Sequence, residues 1–150
     1  MEEKALQMAG ISRDDAKGAP SDAELLSLAR LAMEKSYSPY SRFKVGACLL
    51  AEDGRVFQGC NIENASFGAT NCAERTAVFK AVSEGATSFS AIAIAAEHTA
   101  AYPCGICRQV LNEFSPNLRM LITWGDGQVE ETTLPALLPH SFGPKDVEKN

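Results

Sequence analysis

Histidine occurs only twice in 150 residues and tryptophan once, and uncharged stretches such as Gly85 to Ala96 fall well short of the ~18 residues that cross a bilayer. The opening MEEKALQMAG carries two Glu before its first Lys and has no apolar run behind it, so it does not read as a secretory signal. The expectation is a soluble, cytoplasmic protein with no membrane partner. Lysine and arginine form no cluster, and the net charge is −5. That removes the electrostatic footprint of a phosphate-backbone binder and argues against a nucleic-acid partner. No internal repeat, low-complexity tract or phosphate-cradling glycine loop is present. Cys48, Cys60, Cys72, Cys104 and Cys107 are odd in number in a chain without an export signal, which disfavours a disulfide framework.

What is present suffices for one hydrophobic core: 45% of residues are apolar and 22% charged, and a chain of this size buries about two thirds of its surface on folding. Residues 1–20 are charged and small and end in Gly18-Ala19-Pro20, which reads as a flexible N-terminal extension ahead of a single domain over 21–150. Ser21 with Glu24 forms a capping box, and Leu25, Leu28, Ala29 and Ala32 recur at helical spacing, which predicts a helix over about 22–36. Phe43 to Leu50 and Arg55 to Ile62 flank Glu52-Asp53-Gly54 and predict a hairpin. A helix follows over 71–82, then a strand buried on both faces over 89–96, a helix after Pro103, and strands over 119–124 and 128–132. This order predicts an α/β fold, a mixed sheet with helices on its faces in three layers.

Cys104-Gly105-Ile106-Cys107 stands at a predicted helix start, where free N–H groups and the helix dipole favour thiolates. Alone it fits a thiol–disulfide pair, half of a structural zinc site, or part of a catalytic one. Asn71-Cys72-Ala73-Glu74 adds a third cysteine at a second helix start, with a carboxylate two residues on. Three thiolates leave one tetrahedral position on zinc open, which is the mark of a catalytic site. Cys72 and Glu74 lie about 200° apart around a helix, yet both reach a ligand lying off its end. The bland alternative for Glu74 is a capping box closed on Asn71.

Cys-Ala-Glu-Arg at 72–75 with Pro-Cys-Gly-Ile-Cys-Arg-Gln at 103–109 resembles the zinc-dependent cytidine deaminases, specifically their small homotetrameric, three-cysteine branch. The likeness runs from about Ser21 to Val147, through Tyr37 to Phe43, Gly59 to Asn64 and Leu137 to Phe142. It implies a five-stranded α/β/α sandwich, and Zn²⁺ held by Cys72, Cys104 and Cys107. It also implies a zinc-activated water as nucleophile, with Glu74 as the proton shuttle between water, ring N3 and the departing amine. Arg75, with Gln109 beside it, is implied to bond the sulfurs and offset their charge. Phe43, Asn61, Glu63, Ala65, the backbone of Ala73, and Phe142 are implied to bind a nucleoside. Asn61 and Glu63, two apart on the predicted strand, would hold the ribose 3′-OH. Phe142 would reach a neighbouring subunit's site in a homotetramer. The implied reaction turns cytidine and 2′-deoxycytidine into uridine and 2′-deoxyuridine in pyrimidine salvage.

Alternatives are a deaminase of another small cytosine-bearing compound, such as a nucleoside antibiotic, and a thiol–disulfide or structural-zinc protein. Two positions depart from the family pattern: Phe67 stands where Tyr is frequent, removing a hydroxyl, and Tyr102 where Ser is frequent. Without the resemblance, Phe43, Phe142, Trp124, Cys48 and Cys60 read as packing residues, and His98 and His140 as uninvolved in catalysis.

Overall fold

Strands rich in alanine and β-branched residues meet at the centre of the molecule, where both faces of the sheet are covered and only apolar side chains fit. The computed structural model describes residues 18–148, so all but the last few residues of the expected extension lie outside it. Strands β1 (Val45–Ala51), β2 (Val56–Cys60), β3 (Phe89–Ala96), β4 (Arg119–Trp124) and β5 (Gln128–Thr133) form one mixed sheet in the order β2-β1-β3-β4-β5. β3 and β4 pair in parallel and the other neighbours antiparallel. The parallel pair requires a crossover, which is α3 (Gly105–Phe114). Helices α1 (Asp22–Met33) and α2 (Ala73–Ser83) precede it, and the short α4 (Leu134–Leu137) and α5 (Pro144–Val147) follow β5.

The period-2 alternation of strands sorts the core into two layers. Cys48, Leu50, Ala91, Ala93, Ala95 and Leu121 face α1 through Leu25, Leu28 and Ala29. Ala47, Leu49, Ile92, Ile94, Met120 and Ile122 face the other way, onto Ala77 and Val78 of α2 and Leu111 of α3. The result is the three-layer α/β/α sandwich read from the sequence. Two glycines set how closely the layers approach. A Cβ on Gly46 would stand 2.1 Å from the Ala29 carbonyl oxygen in α1, and one on Gly59 would stand 2.5 Å from both the Ala73 carbonyl oxygen and the Ala77 nitrogen. The first turn of α2 therefore rests directly on the backbone of β2.

The capping box at Ser21 forms as predicted: Glu24 N–H donates to Ser21 Oγ at 3.2 Å, and Ser21 N–H to Glu24 Oε2 at 2.8 Å. α1 ends at Met33, three residues before the predicted limit. Lys35 and Ser36 instead donate in tighter i−3 bonds to Ala32 and Met33, and Tyr37 is drawn into a bridge with Ile62. Among the described residues no helix is long and apolar enough to cross a membrane.

Candidate metal centre and active site

The N-termini of α2 and α3 converge, and each is capped by a cysteine. α2 begins at Ala73 with Cys72 as its N-cap, and α3 at Gly105 with Cys104 as its N-cap. Neither cysteine side chain bonds its own helix backbone. The sulfurs are thus free to turn toward each other at the positive ends of two dipoles. The sequence places Asn71 as the better cap on propensity, but Asn71 turns its amide to Thr76 Oγ1 at 3.1 Å while its backbone pairs with Ile62. Glu74 therefore lies at the second helical position, and the capping box with Asn71 does not form.

The Sγ atoms of Cys72, Cys104 and Cys107 lie within 4.8 Å of one another, and those of Cys72 and Cys104 are 3.9 Å apart. Among the described residues this donor group has three members, one fewer than the closed four-ligand shell of a structural zinc module. Soft thiolates at this spacing suit zinc. Arg75 Nη2 donates to Cys72 Sγ at 3.3 Å, while its buried Nε finds no partner among the described residues. The Cys107 thiol, the Arg75 guanidinium and Cys104 all favour a thiolate at Cys72 and hold its pKa well below the usual thiol range. Cys107 is driven upward, first by donating to Cys72 and then by burial.

Glu74 is 4% exposed, and burial pushes its carboxyl up to about 7, with the adjacent Cys72 charge acting in the same sense. A carboxyl that changes protonation near neutrality, next to a thiolate cluster, is equipped to take and return a proton. Ala73 is fully buried in the same first turn.

Several aromatics on the connecting segments are exposed. Phe43 and Phe142 are 38% and 63% exposed, so neither takes the core position that a phenylalanine takes by default. Phe67, also exposed, meets Tyr40 edge-to-face at 5.6 Å. The Tyr102 hydroxyl donates to Glu130 of β5, which ties the residue before Pro103 to the sheet edge. Ala65 is exposed in the loop ahead of the 3₁₀ turn Phe67–Ala69.

Asn61 and Glu63 lie past the end of β2, which stops at Cys60, rather than on the strand itself. Asn61 Oδ1 accepts from Val45 N–H at 2.9 Å and from Ser36 Oγ, and Nδ2 donates to the Phe43 carbonyl at 2.7 Å. Glu63 Oε1 accepts from the backbone N–H of Tyr40 and Ser41; the Ser41 hydroxyl first, and then these two N–H groups, hold its pKa below the usual carboxylate range. The pair pins the loop that carries Phe43.

Gln109, implied by the resemblance to stand beside Arg75, donates its Nε2 to the Phe142 carbonyl at 2.9 Å. Asn112, which sequence reasoning missed, donates to the same carbonyl at 3.1 Å. Nothing local marks Asn112; only its partner thirty residues away gives it meaning. Cys48 is buried in β1 as expected, whereas Cys60 is half-buried at a strand end, its Sγ 3.4 Å from the Lys35 carbonyl oxygen. Trp124 packs against the core from the end of β4. His98 is exposed beside Glu97, at 3.7 Å.

A five-stranded α/β/α sandwich that brings three cysteine sulfurs and a buried carboxyl to two adjoining helix N-termini has the architecture of a zinc hydrolase. Residues 19–122 match the model of the cytidine and deoxycytidylate deaminase zinc-binding region, and the chain belongs to that family. It is 49% identical over 126 residues to a cytidine deaminase of Sporosarcina psychrophila, covering 83% of this chain and 93% of that one. The crystal structure of cytidine deaminase from Burkholderia pseudomallei superposes with a TM-score of 0.79 at 48% identity, covering 82% of this chain and all of that one. That from Mycobacterium tuberculosis superposes with a TM-score of 0.73 at 42% identity, covering 83% and 99% respectively.

Proposed function

We propose that this chain hydrolyses the exocyclic amine of cytidine and 2′-deoxycytidine, giving uridine or 2′-deoxyuridine and ammonia. The observation that carries the reading is the buried Glu74 carboxyl beside three convergent sulfurs in a chain of this family. Cys72, Cys104 and Cys107 would hold the zinc, which when bound supplies the Lewis acidity that makes water a nucleophile at neutral pH. Three thiolates against Zn²⁺ leave a formal charge of 2 − 3 = −1. Arg75 and the two helix N-termini offset it and keep the site electrophilic.

Glu74 takes the proton that the attacking water gives up, delivers it to ring N3, and then carries the second proton to the departing amine. The C4–N bond breaks as ammonia leaves and the C4 carbonyl of the uracil ring forms. The Ala73 backbone reads the cytosine edge from the same helix turn, and the Phe43 ring covers the pyrimidine face, with Ala65 on the loop beside it. Asn61 uses three of its four hydrogen-bonding positions on its own chain. That leaves one N–H for the ribose 3′-OH, and Glu63 retains acceptor capacity beside it.

The reading extends to a homotetramer in which Phe142 closes a neighbouring subunit's site, supported by that ring's exposure on its own chain. The reaction fits pyrimidine salvage in the cytoplasm, where the five free cysteines would stay reduced. The test is incubation of zinc-replete protein with cytidine while uridine and ammonia are followed together. Wild type should release both in equal amounts. Glu74→Ala should lose on the order of 10²- to 10⁴-fold in turnover with zinc content unchanged. Full residual activity in that variant would remove Glu74 from the mechanism.

A further inference from the structure

Helix α3 supplies Cys107 on one face and, in the same turns, three side chains that reach into the C-terminal segment. Arg108 Nη1 donates to the Leu137 carbonyl at 2.6 Å, and its Nε donates to the Pro103 carbonyl at 2.7 Å, just ahead of Cys104. Gln109 and Asn112 both donate to the Phe142 carbonyl, and Asn112 Oδ1 accepts from Ser141 Oγ at 3.1 Å. The segment between these anchors carries His140 at φ 51°, a left-handed conformation that side-chain-bearing residues rarely adopt. Gly143 follows so closely that a Cβ there would stand 3.0 Å from Asn112 Nδ2. Both lone pairs of one carbonyl are thus taken by two amides, and the backbone is bent so that the next atoms outward are the exposed Phe142 ring.

We propose that Arg108, Gln109 and Asn112 form a clamp on the metal-bearing helix that holds residues 137–142 and aims the Phe142 ring away from its own subunit. Gln109 and Asn112 are then positioning residues that act through Phe142. The functional half of this inference rests on the proposed role of Phe142 over a nucleoside site, while the clamp itself rests on the hydrogen bonds alone. An amide is needed at both positions because each must donate to a carbonyl oxygen. A carboxylate of the same shape would present an acceptor to an acceptor.

The experiment compares wild type, Gln109→Glu, Asn112→Asp, Phe142→Ala and the two double variants that carry Phe142→Ala. Hydrogen–deuterium exchange of the peptide over 138–146 is read first. The clamp requires exchange about tenfold or more faster in Gln109→Glu and Asn112→Asp, with the peptides over 72–83 unchanged. Unchanged exchange over 138–146 in both overturns it, whether or not cytidine is a substrate. Cytidine kinetics are read second. KM should rise about tenfold in each single variant with kcat and zinc content retained, and neither change should add to Phe142→Ala. Additivity with Phe142→Ala, or lost zinc, would show that the amides act on the metal pole instead. Asn112 is buried and Gln109 is not, so if Asn112→Asp does not fold, Gln109→Glu alone decides. Absence of turnover in wild type would overturn the functional reading and leave the exchange result to judge the clamp.

Discussion

The metal pole and the aromatic rim are built by opposite rules. At the pole, Cys107, Glu74 and Ala73 are buried, Arg75 is turned onto the sulfur of Cys72, and the three sulfurs lie within reach of one ion. At the rim, Phe43, Phe67, Tyr102 and Phe142 all show large apolar surface to solvent. A single chain therefore buries the groups of the proposed metal site but leaves the aromatics exposed. The pole depends on helix termini and the close approach of α2 to β2. The rim depends on loops fastened by Asn61, Glu63, Gln109 and Asn112. Damage to the pole should appear in metal content and turnover, and damage to the rim in substrate affinity.

The sharpest break of that contrast is Cys107→Ala. It removes a buried sulfur of the proposed zinc site and should abolish stoichiometric zinc binding and turnover together, as metal analysis and the uridine assay would show; retained metal would mean that two cysteines suffice. Next is Gly59→Ala, which forces α2 off β2 and should cost roughly 1–3 kcal/mol in stability. It should also weaken zinc binding, because Cys72 caps the displaced helix, and urea unfolding with a metal titration measures both. A loss of stability with unchanged zinc affinity would separate the helix's packing from its ligand-bearing role. The smallest effect belongs to the rim: Phe43→Ala should raise KM for cytidine by about tenfold, equivalent to ~1.4 kcal/mol of binding, with full zinc content. A fall in kcat alone would place Phe43 with the pole.

The sequence announced the pole more clearly than the rim, for a physical reason. Strands such as Phe89–Ala96 and Arg119–Trp124 are short apolar runs bounded by turn residues, and both appear at the predicted limits. The cysteines at 72, 104 and 107 advertise themselves because thiols at helix starts have few other uses. Interactions across long sequence separations were not legible. Asn61 reads locally as a polar strand end, but three of its four hydrogen-bonding positions go to residues 36, 43 and 45. Gln109 follows Cys107 closely enough to suggest a sulfur partner, yet its reach is set by a carbonyl that arrives only with the C-terminal segment. The start of α2 shifted because Asn71 is occupied by Thr76 and Ile62, leaving Cys72 at the cap.

The two outer strands carry a further consequence, for how copies of the chain meet. β2 and β5 are open edges, where unpaired N–H and C=O groups invite another strand to add on. On β2 the Lys80 ammonium occupies the Gln58 carbonyl. On β5 the consecutive Glu130 and Glu131 point to opposite faces of the strand and engage Tyr102 and Arg119. An incoming strand would have to displace a lysine at one edge and would meet a carboxylate on each face at the other. Charge at both edges thus disfavours growth by sheet extension, the route to fibres.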